Sequence, residues 1–175
     1  MSKDLKFKII IIGEGGVGKT SLIRSYIDKE FNENYKASIG TNLFLKKMDV
    51  EGVKISATIW DLAGQTRFEK IRFAYYKGAN GVIAVGDLTQ KSTFKRIEGF
   101  WLPDFKKNES KNVPIIILAN KEDLKPEIDD DSLQEIAQRT NSISVIKTSA
   151  KTGTHVNEAF SRLFEKVIEL NLKKE

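Results

Sequence analysis

The stretch Gly13-Glu14-Gly15-Gly16-Val17-Gly18-Lys19-Thr20 follows an apolar run, Ile9-Ile10-Ile11-Ile12, and leads into a segment with helical periodicity that begins near Val17. Glycines at these spacings let the backbone curl so that successive N–H groups point toward one anion. The helix adds the positive end of its dipole. Lys19 supplies a cation for the β- and γ-phosphates, and the Thr20 hydroxyl can ligate Mg²⁺. Strand, glycine-rich turn and helix therefore predict a loop that binds nucleotide phosphates; a glycine-rich βα turn without a ligand is the alternative.

The order of the apolar segments predicts an α/β protein with a mostly parallel sheet. Residues 42–50 and 53–61 are joined by the tight turn Glu51-Gly52, which demands an antiparallel hairpin. The polar residues 29–41 show no clear period and are predicted to form an exposed loop. The helix that begins near Ser92 is expected to be capped by Ser92 or Thr93. Further strands are expected at 5–12, 81–87, 114–119 and 143–147, and helices at 17–28, 92–106, 129–139 and 154–172.

Composition and charge narrow the class of protein. With 40 % hydrophobic and 30 % charged residues, the 175-residue chain fits one soluble globular domain, residues 1–175. Its charged start predicts no signal peptide, and no apolar run is as long as a membrane span. The net charge of +5 comes from scattered lysines, so we expect a solvated surface and no nucleic-acid partner. Without Cys there is no prenylation site, so we expect a cytoplasmic chain without an intrinsic anchor, held at membranes only where a further tail or a partner supplies one.

A second motif, Asp61-Leu62-Ala63-Gly64, ends the predicted strand 53–61. A carboxylate at the end of a strand and near a phosphate loop can hold Mg²⁺, often through water. Gly64 can offer its N–H to a γ-phosphate because no side chain intervenes. The same four-residue pattern is common in ordinary turns, so its position after a phosphate loop is what indicates a nucleotide site.

The third motif, Asn120-Lys121-Glu122-Asp123, directly follows a buried strand. The Asp123 carboxylate can accept two hydrogen bonds from a base with adjacent N–H donors, which guanine presents and adenine does not. A site built on such contacts can reject the wrong base by about 10⁴-fold, because a buried polar group would otherwise be unpaired. At the ligand-binding edge of an α/β sheet the motif predicts a guanine site. Ser149-Ala150-Lys151, after the last strand, fits the same pocket.

Together the motifs resemble those of small GTPases of the Ras superfamily, in order and spacing, over nearly the whole chain. Arg67-Phe68, Tyr75-Tyr76-Lys77-Gly78-Ala79 and Tyr35-Lys36-Ala37-Ser38-Ile39-Gly40 are most similar to the Rab branch. The resemblance implies a three-layer P-loop GTPase fold, in which helices flank a six-stranded, mostly parallel sheet with one antiparallel strand. It also implies a molecular switch that binds GTP or GDP with Mg²⁺, hydrolyses GTP slowly, and regulates trafficking or membrane-associated processes.

The resemblance also assigns roles to individual residues. Phe31 matches the aromatic residue that packs on guanine, Ser38 the hydroxyl that ligates Mg²⁺, and Gln65 the catalytic residue that orients the attacking water. The expected magnesium ligands are Thr20, Ser38 and, through water, Asp61. The expected nucleotide contacts are Gly15, Gly16, Val17, Gly18, Lys19, Thr20, Ser21, Gly64, Asn120, Lys121, Asp123, Ser149, Ala150 and Lys151, to which the resemblance adds Phe31, Tyr35 and Ser38.

Several positions depart from the family pattern. Ser38 replaces the usual Thr and loses the methyl group that helps to fix the rotamer, so we expect a looser active-state loop without loss of binding. Leu62, Thr66 and Thr41-Asn42-Leu43 also differ from the usual Rab residues. The resemblance implies a monomer that meets effectors through residues 32–45 and 63–78, together with a GTPase-activating protein and an exchange factor.

Two other classes of protein remain open from the residues alone. A nucleotide-binding scaffold, or pseudo-GTPase, would bind without hydrolysis; intact Lys19, Thr20, Asp61 and Gln65 argue against it, while Ser38 leaves some room. A P-loop kinase would need an arginine-bearing lid, which the sequence lacks, and would not need the Asn120–Asp123 motif. Phosphate release with GTP and with ATP distinguishes these classes.

Overall fold

The structure, a computed structural model, describes residues 4–28, 42–62, 69–109 and 112–174. Within them, six strands form one sheet in the order β2-β3-β1-β4-β5-β6. All neighbouring strands are parallel except β2 and β3. The predicted fold class is therefore confirmed. The elements are β1 (Asp4–Ile12), α1 (Lys19–Asp28), β2 (Asn42–Val50), β3 (Val53–Asp61), α2 (Glu69–Tyr76), β4 (Gly81–Asp87), α3 (Lys91–Arg96), a π-helical segment (Ile97–Trp101), α4 (Leu102–Asn108), β5 (Ile115–Asn120), α5 (Asp130–Thr140), β6 (Val145–Lys147) and α6 (Val156–Leu172).

The β2–β3 hairpin has the tight turn that the sequence predicts. Glu51 and Gly52 have φ angles of 53° and 83°, and the flanking residues Val50 and Val53 are paired across the hairpin. Two successive left-handed residues match the right-handed twist of the strands that they join. Because β3 then pairs with β1 in parallel, the hairpin places the end of β3 beside the phosphate loop.

The sheet has a hydrophobic core on each face, and β1 contributes to both. Ile9 and Ile11 pack into the cluster that contains α1 and α6, whereas Ile10 and Ile12 pack into the cluster that contains α3, the π-helical segment and α5. All four side chains are fully buried. Side chains of successive strand residues point to opposite faces, so a strand covered on both faces becomes a continuous apolar run.

Within the described residues, none of the helices has the length and apolar character needed to cross a bilayer.

The helix predicted at 92–106 differs from the structure at its start and in its middle. It begins at Lys91 after Gln90, so the predicted cap at Ser92 or Thr93 is wrong. The Thr93 hydroxyl instead accepts a hydrogen bond from the backbone N–H of Asp87 at 2.9 Å. It therefore binds the end of β4 and does not cap the start of the helix. The π-helical segment then interrupts the helix just before Pro103, which has no N–H to donate.

Helix α2 is joined to α4 by an ion pair whose arginine is buried and whose carboxylate is partly buried. Arg72, which is 5 % exposed, donates from Nε to Asp104 Oδ2 at 3.0 Å, and the Tyr76 hydroxyl donates to the same oxygen at 2.8 Å. We expect Asp104→Ala to lower the free energy of unfolding by about 3 kcal/mol, because it leaves a buried guanidinium without its partner. The exposed pair Glu98–Arg139 provides the control: Glu98→Ala should cost less than about 1 kcal/mol. Urea unfolding of both variants tests this, and equal losses would contradict it.

Candidate functional site

The candidate site lies where the parallel strands end. Since β3, β1, β4, β5 and β6 run in the same direction, their carboxyl ends share one edge of the sheet. Open α/β sheets bind ligands at this edge. The last residues of these strands are Ile12, Asp61, Asp87, Asn120 and Lys147. All three sequence motifs follow directly from such ends or contain them.

The phosphate loop needs glycine at two positions for packing as well as conformation. Gly13 has φ of 148°, and a Cβ there would lie 2.4 Å from the carbonyl oxygen of Val85. Gly18 has φ of 100°, and a Cβ there would lie 2.4 Å from Nδ2 of Asn120. Because Gly18 is left-handed, α1 begins at Lys19 and not near Val17 as predicted. The loop therefore packs tightly against both β4 and the end of β5.

Lys19 lies inside the curve of this loop. Its Nζ donates to the carbonyl oxygens of Gly13 and Glu14, both at 2.9 Å, and the residue is 7 % exposed. Burial lowers the pKa of the Lys19 ammonium, while the carboxylates of Asp61 and Glu14 oppose that change. A cation held by two backbone carbonyl oxygens at the N-terminus of α1 suits a ligand with several negative charges.

Thr20 and Asp61 bring a hydroxyl and a carboxylate together beside Lys19. The Thr20 hydroxyl donates to Asp61 Oδ2, and Asp61 is 5 % exposed. Mg²⁺ prefers such oxygens and takes waters and substrate phosphates as its remaining ligands. The described residues contain no group of three or more His, Cys, Asp or Glu that could hold a metal ion. The pair therefore fits a magnesium ion bound together with phosphate, not an all-protein metal cage.

Asn120 joins the phosphate loop to the segments expected to bind the base. Its Nδ2 donates to the Val17 carbonyl oxygen at 2.9 Å, and its Oδ1 accepts from the Thr148 hydroxyl and the Ala150 N–H, each at 3.2 Å. The residue is 2 % exposed. An amide that is buried and satisfied on both sides fixes the relative positions of the segments that it connects. Its visible role is thus to hold the site together.

Lys121 is held by a buried carboxylate at the end of β4. Its Nζ lies 2.6 Å from Oδ2 of Asp87, which is fully buried. Burial raises the pKa of the Asp87 carboxyl, but hydrogen bonds from Lys121 and Thr89 outweigh this and hold it below its ordinary value. This contact fixes the Lys121 side chain along the wall of the adjoining pocket.

That pocket, of about 500 Å³, brings the predicted base-binding residues together. The Ser149 hydroxyl donates to Asp123 Oδ1 at 2.7 Å and accepts from the Thr152 N–H at 3.1 Å, so the carboxylate is held in place at the pocket wall. The pocket also includes Leu124, which is 50 % exposed and offers an apolar surface for a flat base. The lining residues are Gly18, Ser21, Asn120, Lys121, Asp123, Leu124, Ala150 and Lys151.

The sequence interpretation missed three residues of this site. Asp87 ends a buried strand as Asp61 does, so the same reasoning could have found it. Thr148 adjoins the predicted Ser149-Ala150-Lys151, and Leu124 follows Asp123; nothing local marks either one. The predicted residues Phe31, Tyr35, Ser38, Gly64 and Gln65 lie outside the described residues, as do the predicted loop at 29–41 and residues 63–68.

The phosphate loop, the hydroxyl–carboxylate pair and the base pocket define a P-loop nucleotide-binding protein. A sequence model of the Ras family matches residues 8–169. The chain is 40 % identical to the Ras-related protein Rab-13 of Canis lupus familiaris, over 94 % of this chain and 81 % of that protein. It is 38 % identical to Ras-related protein Rab-1 of Theileria parva, over 91 % of this chain and 73 % of the relative. It is 36 % identical to the Ypt/Rab-type GTPase YPT7 of Saccharomyces cerevisiae, over 94 % of this chain and 82 % of that protein.

The chain therefore belongs to the Ras family, and these relatives assign it to the Rab branch of small GTPases. The resemblance found in the sequence is confirmed. As a small GTPase it is an enzyme that hydrolyses GTP.

Proposed function

We propose that this chain, as one domain over residues 1–175, is a guanine-nucleotide switch that binds GTP or GDP with Mg²⁺ and hydrolyses GTP slowly. The switch would serve Rab-like regulation of trafficking or of membrane-associated processes. Its effectors would bind residues 32–45 and 63–78, and a GTPase-activating protein and an exchange factor would set its state. We expect it to act as a cytoplasmic monomer.

The observation that carries the proposal is that Asn120 connects the phosphate loop to the segment expected to bind the base. Asn120 bonds the phosphate loop through Val17 and the base segment through Ala150, so one residue sets the distance between the phosphates and the base. A ligand that fits must present both an anionic chain and a base with adjacent N–H donors to Asp123. Guanine nucleotides have both features.

The roles that we assign to the chain's own residues follow from their chemistry. Lys19 neutralises the β- and γ-phosphates, and the loop N–H groups orient them. Mg²⁺, when bound, neutralises charge that develops on the phosphates, with Thr20, Ser38 and, through water, Asp61 as its protein ligands. Gln65 orients the attacking water, and Gly64 donates its N–H to the γ-phosphate.

Regulation follows from the γ-phosphate. Backbone N–H groups near Ser38 and Gly64 each gain an acceptor when GTP is bound and lose it on hydrolysis, which changes the preferred conformation of both loops. The sequence offers no arginine within the phosphate loop. A partner that supplies one would accelerate hydrolysis by about 10³–10⁵-fold.

The deciding experiment compares nucleotides and follows phosphate release. Protein stripped of nucleotide is titrated with GTP, GDP and ATP in buffer with Mg²⁺, and inorganic phosphate is then measured over time. We expect tight binding of GTP and GDP, weak binding of ATP, and slow release of phosphate. In Gln65→Leu, binding should persist while phosphate release slows further. Preference for ATP would overturn the proposal, and binding of GTP without phosphate release would identify a scaffold instead.

A further inference from the structure

The side chain of Glu14, within the phosphate loop, is held by two donors from another part of the chain. Its Oε1 accepts from the indole Nε1–H of Trp101 at 2.8 Å and from Nε of Arg96 at 2.9 Å. The Glu14 side chain is 32 % exposed, whereas Trp101 is 2 % exposed. The bond from Trp101 is therefore partly shielded from water, and hydrogen bonds to a carboxylate are stronger than those between neutral groups.

The two donors flank the π-helical segment: Arg96 is the last residue of α3, directly before it, and Trp101 is its last residue. The backbone N–H of Leu102 reaches back five residues to the carbonyl of Ile97, one residue farther than the hydrogen bond of an α-helix. The Trp101 ring consequently packs in the core with its N–H edge toward the phosphate loop. Arg96 is held over the Phe100 ring, with its guanidinium carbon 4.2 Å from the ring centre.

The backbone of the same glutamate contacts the functional lysine. Lys19 Nζ donates to the carbonyl oxygen of Glu14 at 2.9 Å, while Trp101 holds the Glu14 side chain. Rotation of the Glu14 peptide would move that carbonyl, and with it the ammonium. The side-chain bonds to Trp101 and Arg96 oppose such a rotation before any ligand is present. A site fixed in advance loses less entropy on binding than one that must be ordered.

We propose that Glu14 and Trp101 are positioning residues that fix the phosphate loop and the direction of Lys19, and that they slow the release of GDP. The inference rests on the nucleotide binding proposed above. It assigns to the core residue Trp101 an effect on nucleotide lifetime, in addition to its contribution to packing.

The test measures GDP dissociation from the full chain with Mg²⁺, together with thermal unfolding. We expect Trp101→Phe to accelerate dissociation about tenfold, the effect of losing one hydrogen bond to a charged group. Glu14→Ala also loses the bond from Arg96, so it should accelerate dissociation by at least as much. Glu14→Gln keeps an acceptor for the indole N–H and should remain within about threefold of the parent. The double variant should dissociate no faster than the faster single variant, because both remove the same bond. Glu98→Ala, which removes a carboxylate of the π-helical segment that pairs with Arg139, is the control and should leave dissociation unchanged.

Each outcome decides the inference. If thermal stability falls but dissociation rates stay at the parental value, Trp101 and Glu14 contribute only packing and the proposal is wrong. Multiplying effects in the double variant would also refute it, since the residues would then act separately. Glu14→Ala keeps the test valid if Trp101→Phe does not fold, because the Glu14 side chain is partly exposed. A parent protein that does not bind GDP would instead refute the proposed function.

Discussion

Lys19→Ala is expected to weaken the binding of GTP by about 10²–10⁴-fold, since charge-assisted hydrogen bonds of roughly 1.5–3 kcal/mol each to the β- and γ-phosphates are lost. The binding of GDP, which offers the ammonium only the β-phosphate, should weaken by about 10–10²-fold. Both nucleotides lose the contact of the Lys19 ammonium with the β-phosphate. GTP also loses the contact with its γ-phosphate, so its affinity should fall further. Isothermal calorimetry on protein stripped of nucleotide measures both affinities. The substitution also removes the donor to the carbonyl oxygens of Gly13 and Glu14, so thermal unfolding must be recorded in parallel.

Lys106 provides a matched control for this change. Its Nζ donates to the backbone carbonyl of Thr140 at 3.2 Å, far along the chain from the phosphate loop. Lys106→Ala thus removes a lysine-to-carbonyl bond without touching the site, and both affinities should stay at the parental value. If a folded Lys19→Ala protein bound GDP as tightly as the control, the assignment of the phosphate loop would be wrong.

Local features of the sequence were sufficient for most of the fold. The run Ile9-Ile10-Ile11-Ile12 indicates a strand, and Glu51-Gly52 indicates a hairpin turn; both predictions are confirmed. The sequence predicts a single helix over 92–106. Its π-helical segment depends on how Trp101 and Phe105 fit the core and on Pro103, a combination that periodicity alone does not express.

The candidate site shows the same difference between local features, which the sequence reveals, and long-range contacts, which it does not. The phosphate loop and the motif that begins at Asn120 each span eight residues or fewer, so both can be identified directly in the sequence. The contacts that join the motifs cannot, since they connect residues far apart in sequence: Val17 with Asn120, Asp87 with Lys121, and Glu14 with Trp101. The first two require knowledge of which strand ends are neighbours, and the third requires knowledge of how a helical segment packs against the sheet. The parallel order of the sheet supplies that information, and a single sequence supplies it only through a family resemblance.

Asp123→Ala is expected to abolish most of the preference for guanine over adenine. The carboxylate, held by Ser149 at 2.7 Å, is the group that we propose accepts from the N1–H and the exocyclic N2–H of guanine. Losing two hydrogen bonds to a charged acceptor should weaken GTP binding by about 10²–10⁴-fold. ATP offers no such donors, so its weak binding should change little, and the ratio of the two affinities should collapse.

Inosine triphosphate separates this role from a general loss of structure, because it keeps N1–H but lacks the exocyclic amino group. The parent should bind it about 10–100-fold less tightly than GTP, the effect of one hydrogen bond to a carboxylate. In Asp123→Ala that difference should disappear, since neither nucleotide finds the acceptor. Asp130→Ala is the matched control: this exposed carboxylate pairs with Lys147 at 3.0 Å outside the pocket, and its loss should leave all three affinities unchanged. A parental difference between GTP and inosine triphosphate that survived in Asp123→Ala would show that another group recognises the base.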